Sequence, residues 1–168
     1  MAIVTSAGAG RRAAPRATIL QLRAPQATAR FVSEEASSLV ATSPVPVVIS
    51  SRCDIAIAAG AAGVHLPEND IPVAVARTLM GERIVGRSVH SLESALRAER
   101  EGADYVVFGP VWASASHPGS EPAGVSALSG VAHALHIPVL AIGGVTPERI
   151  AECHAAGAAG YAAIGMFA

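Results

Sequence analysis

Gly60-Ala61-Ala62-Gly63-Val64, Gly102-Ala103-Asp104-Tyr105-Val106 and Gly157-Ala158-Ala159-Gly160-Tyr161 repeat one punctuation along the 168-residue chain, each copy standing directly before an apolar run. Glycine supplies the left-handed residue that closes a helix, and a short apolar run is what a strand buried on both faces looks like. The copies therefore mark the seam of a repeated helix-to-strand unit. Strands of a second kind, Pro46-Val47-Val48-Ile49 and Pro138-Val139-Leu140-Ala141-Ile142, lie between them. The alternation predicts an α/β fold, a parallel (β/α)8 TIM barrel.

Strand-like runs fall at residues 2 to 5, 17 to 22, 45 to 50, 63 to 66, 83 to 89, 105 to 111, 138 to 142 and 160 to 167. Eight is the number a barrel needs. Helical periodicity is clearest from Ser91 to Glu101, with Ser91 as cap and Leu92, Ala95 and Leu96 as the buried stripe. Thr146-Pro147-Glu148 predicts another helix start, with an N-cap and a proline in the first turn. The barrel is trimmed: the helix after strand one is stunted to Ser6–Arg16, and no helix follows strand eight before Ala168. One domain spanning residues 1–168 is expected. Strands one and eight then meet with bare outer faces, where Ile3 or Val4 would join Tyr161, Met166 or Phe167 in an apolar patch. Such a patch predicts a homo-oligomer. Alternatively, Ser6–Arg16 folds back over the seam, or the natural chain continues past Ala168.

With 51% hydrophobic and 15% charged residues, a sizeable core is expected. Every apolar run is too short to span a bilayer. A net charge of -1 and 4% aromatic residues give no basic, aromatic-laced face for nucleic acid. Cys53 and Cys153 are too few and too distant for a disulfide framework and read as core residues, which suits a cytoplasmic protein. The first 33 residues hold five arginines and no acid, faintly like a transit peptide, but Ala17–Leu22 already reads as a strand. All twelve basic residues are arginine, so lysine Schiff-base chemistry is excluded.

In a parallel barrel the functional groups sit just after the strands. Those positions here are polar or glycine: Gln21 and Arg23, Ser50 and Ser51, Glu68 to Asp70, Ser88 and His90, Ser114 to His117, Gly143 and Gly144, and Ile164 with Gly165. The opposite ends carry mostly glycine and alanine. Glycines after strands seven and eight let backbone N–H groups approach a phosphate, so a phosphorylated small molecule is the expected ligand. The segment Ser114-Ala115-Ser116-His117-Pro118-Gly119 adds hydroxyls and an imidazole on the same side. His133, His136 and His154 read as surface residues, and His65 can face either layer of its strand. His90 and His117 are the two histidines placed to touch substrate, and imidazole suits proton transfer near neutral pH.

Taken together, Gly86-Arg87-Ser88-Val89-His90-Ser91-Leu92-Glu93, the run from Gly102 to Val111 and the run from Ile137 to Glu148 resemble the thiamine phosphate synthase/TenI family, over strands one to eight. The resemblance implies one of two activities. Synthases join a pyrimidine pyrophosphate to a thiazole phosphate with Mg2+, whereas TenI proteins aromatise a thiazole carboxylate phosphate by proton transfer. Gln21 and Arg23 match synthases, but their following lysine is here Pro25, and their Asn-Asp pair is here Ser50-Ser51. Of the carboxylates implied for Mg2+, Asp70 alone remains. On the thiazole phosphate side, Ser114, Ser116, Gly143, Gly144 and Gly165 match, and His117 replaces the usual lysine. The acid-base histidine of TenI proteins is here Pro110, which moves proton transfer to His117 or His90. The resemblance thus implies a thiazole tautomerase without cofactor. The rivals are a synthase using Asp70, Ser88, Arg23 and Mg2+, and a catalytically silent thiazole phosphate binder.

Overall fold

The computed structural model describes residues 1–114, 119 and 121–167. Eight strands alternate with helices. The strands are β1 (Ala2–Val4), β2 (Leu20–Leu22), β3 (Val47–Ser50), β4 (Gly63–Leu66), β5 (Ile84–Val89), β6 (Tyr105–Phe108), β7 (Val139–Ala141) and β8 (Gly160–Tyr161). The helices are α1 (Ala7–Ala13), α2 (Ala29–Thr42), α3 (Cys53–Ala58), α4 (Val73–Met80), α5 (Leu92–Arg100), α6 (Gly124–Ala134) and α7 (Ile150–Ala155). Neighbours in sequence are neighbours in one parallel sheet, ordered β1 to β8. A parallel bridge between Ala2 and Ala163 joins its two edges, with Ile3 N–H donating to Ala163 O at 2.9 Å and Ala163 N–H to Met1 O at 3.2 Å. The expected TIM-barrel fold is therefore present. Gly60, Gly102 and Gly157, the helix-closing glycines of the repeat, all have positive φ, at 67°, 93° and 91°.

Alternation along each strand divides the apolar residues into two cores. Val47 and Ile49 face outward to the helices, in a large cluster with Val64, Leu66, Val85, Val106, Phe108 and Leu39. Val48 faces inward, in a smaller cluster with Met1, Ile3, Tyr105, Val107 and Ala162. Cys53 and Cys153 are both buried.

Several expectations are corrected. Ser91 caps α5 as read, with Ser94 closing a capping box, but Leu92 is 44% exposed and the buried face is Ser94, Ala95 and Ala98. Thr146 makes no side-chain cap, and Pro147–Arg149 form a 3₁₀ turn ahead of α7. Gly165 does not end β8. It opens a second 3₁₀ turn, Gly165–Phe167, which stands where a last helix would.

The bare seam is also corrected. Ser6 accepts from Ala9 N–H at 3.2 Å, Glu35 Oε2 accepts from Ala7 N–H at 2.5 Å, and α1 forms between them despite its glycines. Gly10 has no Cβ because Leu39 of α2 fills that space. Val4 is buried in the outer core beside Ala7, Ala13 and Ala14, and Ile3 belongs to the interior. Phe167 is buried and stacks on Tyr161 at 6.2 Å, while Arg16 donates to the carbonyls of Met166 and Phe167 at 3.4 and 3.2 Å. The segment Ser6–Arg16 has folded back over the seam, so the apolar patch on which a homo-oligomer was argued is covered.

Candidate active site at the strand ends

On β2, β3 and β5 the interior file changes from apolar to polar toward the carboxyl end, from Ile19 to Gln21, Val48 to Ser50 and Ile84 to Ser88. Register pairs Ser50 with His65, His65 with Gly86 and Ser88 with Val107, so Ser50, His65 and Ser88 share the inward face. They form the floor of a cavity of about 590 Å³. Its walls take Gln21 and Arg23 from β2 and the residue after it, Glu68 and His90 from beyond β4 and β5, Ser114 from beyond β6, and Gly143, Gly144, Ile164 and Gly165 from beyond β7 and β8.

One wall is built of unused backbone donors. Gly143 and Gly144 have φ of 90° and 65°, and a Cβ on Gly144 would lie 2.6 Å from Ala113 O and 2.7 Å from Trp112 Cβ. Glycine is therefore required for the loop after β7 to lie against the loop after β6. Among the described residues, the N–H groups of Gly143, Gly144, Ile164 and Gly165 donate to nothing. Successive free N–H groups around a concavity make an anion nest. Arg149 steadies this wall, with its guanidinium 5.0 Å over the Trp112 ring and donating to Gly144 O at 2.7 Å.

The opposite wall holds titratable groups. His90 Nδ1 is hydrogen-bonded to Gly109 O. A carbonyl only accepts, so Nδ1 carries a proton, and in the neutral ring Nε2 is the acceptor nitrogen. Glu68 Oε2 is 3.6 Å from that Nε2, and Glu68 Oε1 accepts from His90 N–H at 3.1 Å. Arg87 holds the turn carrying Glu68, donating to Ile71 O at 2.7 Å and Glu68 O at 2.6 Å. Gln21 is 3% exposed, yet among the described residues neither its carboxamide nor the Arg23 guanidinium has a side-chain partner. Both reach the cavity.

His65 lies beneath. Burial, with the positive charges of Arg87 and Arg23, pushes its imidazole down to about 3 from an ordinary 6.5. Between these values the unfolded chain binds a proton that the folded chain does not, so stability falls as pH drops from 6.5 toward 3, by about 1.4 kcal/mol per pH unit. Urea unfolding midpoints between pH 7 and 4.5 should therefore fall more steeply for the parent than for His65→Gln. Parallel profiles would refute a buried neutral His65.

The structure gathers Gln21, Arg23, Ser50, Ser88, His90, Ser114, Gly143, Gly144, Ile164 and Gly165 at one cavity. Ser51 is not among its lining residues: at φ 63° it turns the chain into α3, its N–H on His65 O at 3.0 Å. Asp70 is also off the wall, its Oδ1 accepting from Ile71 N–H at 2.7 Å. Ser116 and His117 lie outside the described residues. Glu68 and His65 were not singled out as site residues. The side of the strand taken by His65 follows from the register of β3 and β4, and Glu68 stood unranked among the residues after β4.

An open cavity at the carboxyl ends of a closed parallel barrel, with backbone N–H groups on one wall and the His90–Glu68 pair on another, lies where barrel enzymes hold their ligands. More particularly, the chain belongs to the thiamine monophosphate synthase (TMP-TENI) family, enzymes of thiamine biosynthesis, whose family model matches residues 6–167. It is 43% identical over 136 residues to a "Putative thiamine-phosphate synthase 2" of Aquifex aeolicus, covering 81% of this chain and 73% of the relative. It is 37% identical over 176 residues to the "Thiamine-phosphate synthase" of Chloroflexus aurantiacus, covering 96% and 82%. The solved thiamine phosphate pyrophosphorylase of Pyrococcus furiosus superposes with a TM-score of 0.88 at 31% identity, over 97% of this chain and 84% of the other. These names favour the synthase reaction over the tautomerase expected from the sequence.

Proposed function

We propose that the chain binds a thiazole phosphate in the strand-end cavity, its phosphate on the N–H groups of Gly143, Gly144, Ile164 and Gly165, and aromatises the ring by proton transfer through His90. The observation carrying this reading is the pairing of an anion nest beyond β7 and β8 with the His90–Glu68 pair three strands round the barrel, beyond β4 and β5. Neutral His90 would take a proton from a ring carbon at Nε2 and return one at another ring position, leaving the skeleton, the phosphate and the electron count unchanged. The Glu68 carboxylate would stabilise the imidazolium in between.

A second reading, thiamine phosphate synthesis, is favoured by the names of the relatives. Gln21, Arg23 and Ser88 would then face the pyrophosphate. The residues here do not fit the magnesium site such a reaction uses in the family. Ser50-Ser51 stand where carboxylate is expected, Asp70 is committed to Ile71 N–H, and no group of three or more His, Cys, Asp or Glu among the described residues could hold a metal.

The test supplies purified protein either with the thiazole tautomer in EDTA, or with aromatic thiazole phosphate, pyrimidine pyrophosphate and Mg2+. Aromatisation in EDTA supports the tautomerase. Magnesium-dependent thiamine phosphate overturns it for the synthase, and tight binding without product leaves the silent binder.

A further inference from the structure

Three polar groups form a file inside the barrel, below the cavity. Tyr105 Oη is 3.0 Å from His65 Nδ1, and His65 Nε2 is 2.8 Å from Ser88 Oγ. The two rings stack with centroids 5.6 Å apart. The file depends on Gly86, because any Cβ there would overlap the Tyr105 ring.

The file has a fixed direction. Burial pushes the Tyr105 phenol upward, so it keeps its proton. Among the described residues, the one acceptor that this hydrogen meets is His65 Nδ1. The reverse arrangement, with Nδ1–H donating to Tyr105, would leave the phenol hydrogen buried without an acceptor, which folded interiors avoid. His65 is neutral, so accepting at Nδ1 places its single proton on Nε2, which then donates to Ser88 Oγ. The hydrogen on Ser88 cannot point back at Nε2, and the cavity is the direction left to it.

We propose that Tyr105 is a positioning residue which, acting through His65, fixes the Ser88 hydroxyl as a hydrogen-bond donor into the cavity. The ligand atom above Ser88 is thereby offered a donor, which an acceptor such as a ring nitrogen or a carboxylate oxygen takes up. Only the ligand rests on the thiazole phosphate reading; the direction of the file does not.

The test begins with nitrogen NMR of histidine-labelled, ligand-free protein, the His65 signals being assigned by their loss in His65→Gln. The expected spectrum has a pyrrole-type Nε2 and a pyridine-type Nδ1; a pyrrole-type Nδ1 overturns the proposal. In Tyr105→Phe, the Nδ1 resonance should lose the shift due to its accepted hydrogen bond. An unchanged resonance in the folded variant also overturns it. If that variant does not fold, the parent spectrum decides alone. In a ligand arm, Tyr105→Phe should raise the Kd for thiazole phosphate about tenfold, the worth of one misdirected hydrogen bond. Failure of the parent to bind this probe would count against the ligand assignment and leave the tautomer result standing.

Discussion

Gly165→Val is expected to abolish thiazole phosphate binding while leaving the protein as stable as its parent. Among the described residues no heavy atom lies within 4 Å of a Cβ placed on Gly165, and its φ is not in the left-handed region, so the new side chain meets neither a clash with them nor backbone strain. The space it enters is the cavity beside the free N–H groups of Ile164 and Gly165. Displacing a phosphate from two such donors removes charge-assisted hydrogen bonds worth about 1.5–3 kcal/mol each, a loss on the order of 100-fold or more in affinity. Gly144→Val should also lose binding, but with reduced stability, since its Cβ would press on Ala113 O and Trp112 Cβ at 2.6 and 2.7 Å from a φ of 65°. Calorimetric titration and thermal unfolding of both variants separate the two effects. Parental affinity in Gly165→Val would remove the phosphate from this wall.

His90→Asn is the second large effect. If Nε2 carries the proton, turnover should fall by about 10²–10⁴, the usual span for loss of a general acid-base group, with little change in ligand affinity. Glu68→Gln should cost less, about tenfold, because it removes a charge facing the imidazolium rather than the proton carrier itself. Single-turnover rates with the thiazole tautomer measure both. Full activity in His90→Asn would discard the His90–Glu68 pair. His117→Ala belongs in the same series, since the sequence offers that residue beside His90 for proton transfer.

The order of strands was legible because they are short and largely apolar, and because glycine closes the helix ahead of three of them: β4, β6 and β8 begin within three residues of Gly60, Gly102 and Gly157. Helix faces were less so. Leu92 and Ala95 satisfy the same period, but Ala95 is fully buried while Leu92, in the first turn of α5, is 44% exposed. Within the site, glycines and hydroxyls at strand ends could be found by position alone. His65 could not, because inward and outward differ by one residue of register and its strand, Gly63–Leu66, is buried on both faces. The local bond from Ile71 N–H to Asp70 Oδ1 was likewise not legible, since a carboxylate at the start of a turn can serve its own backbone.

The backbone of the sheet separates the inner file of side chains from the outer one. Leu39, Val64 and Phe108, which seat the helices, touch one side, while Ser50, His65 and Ser88 belong to the other. A residue exchanged on the inner side changes which molecule is welcome without disturbing a helix. Ser50, at the end of β3, lies on that inner side, so the ligand cavity can be recut there while the seats of the helices stay as they are.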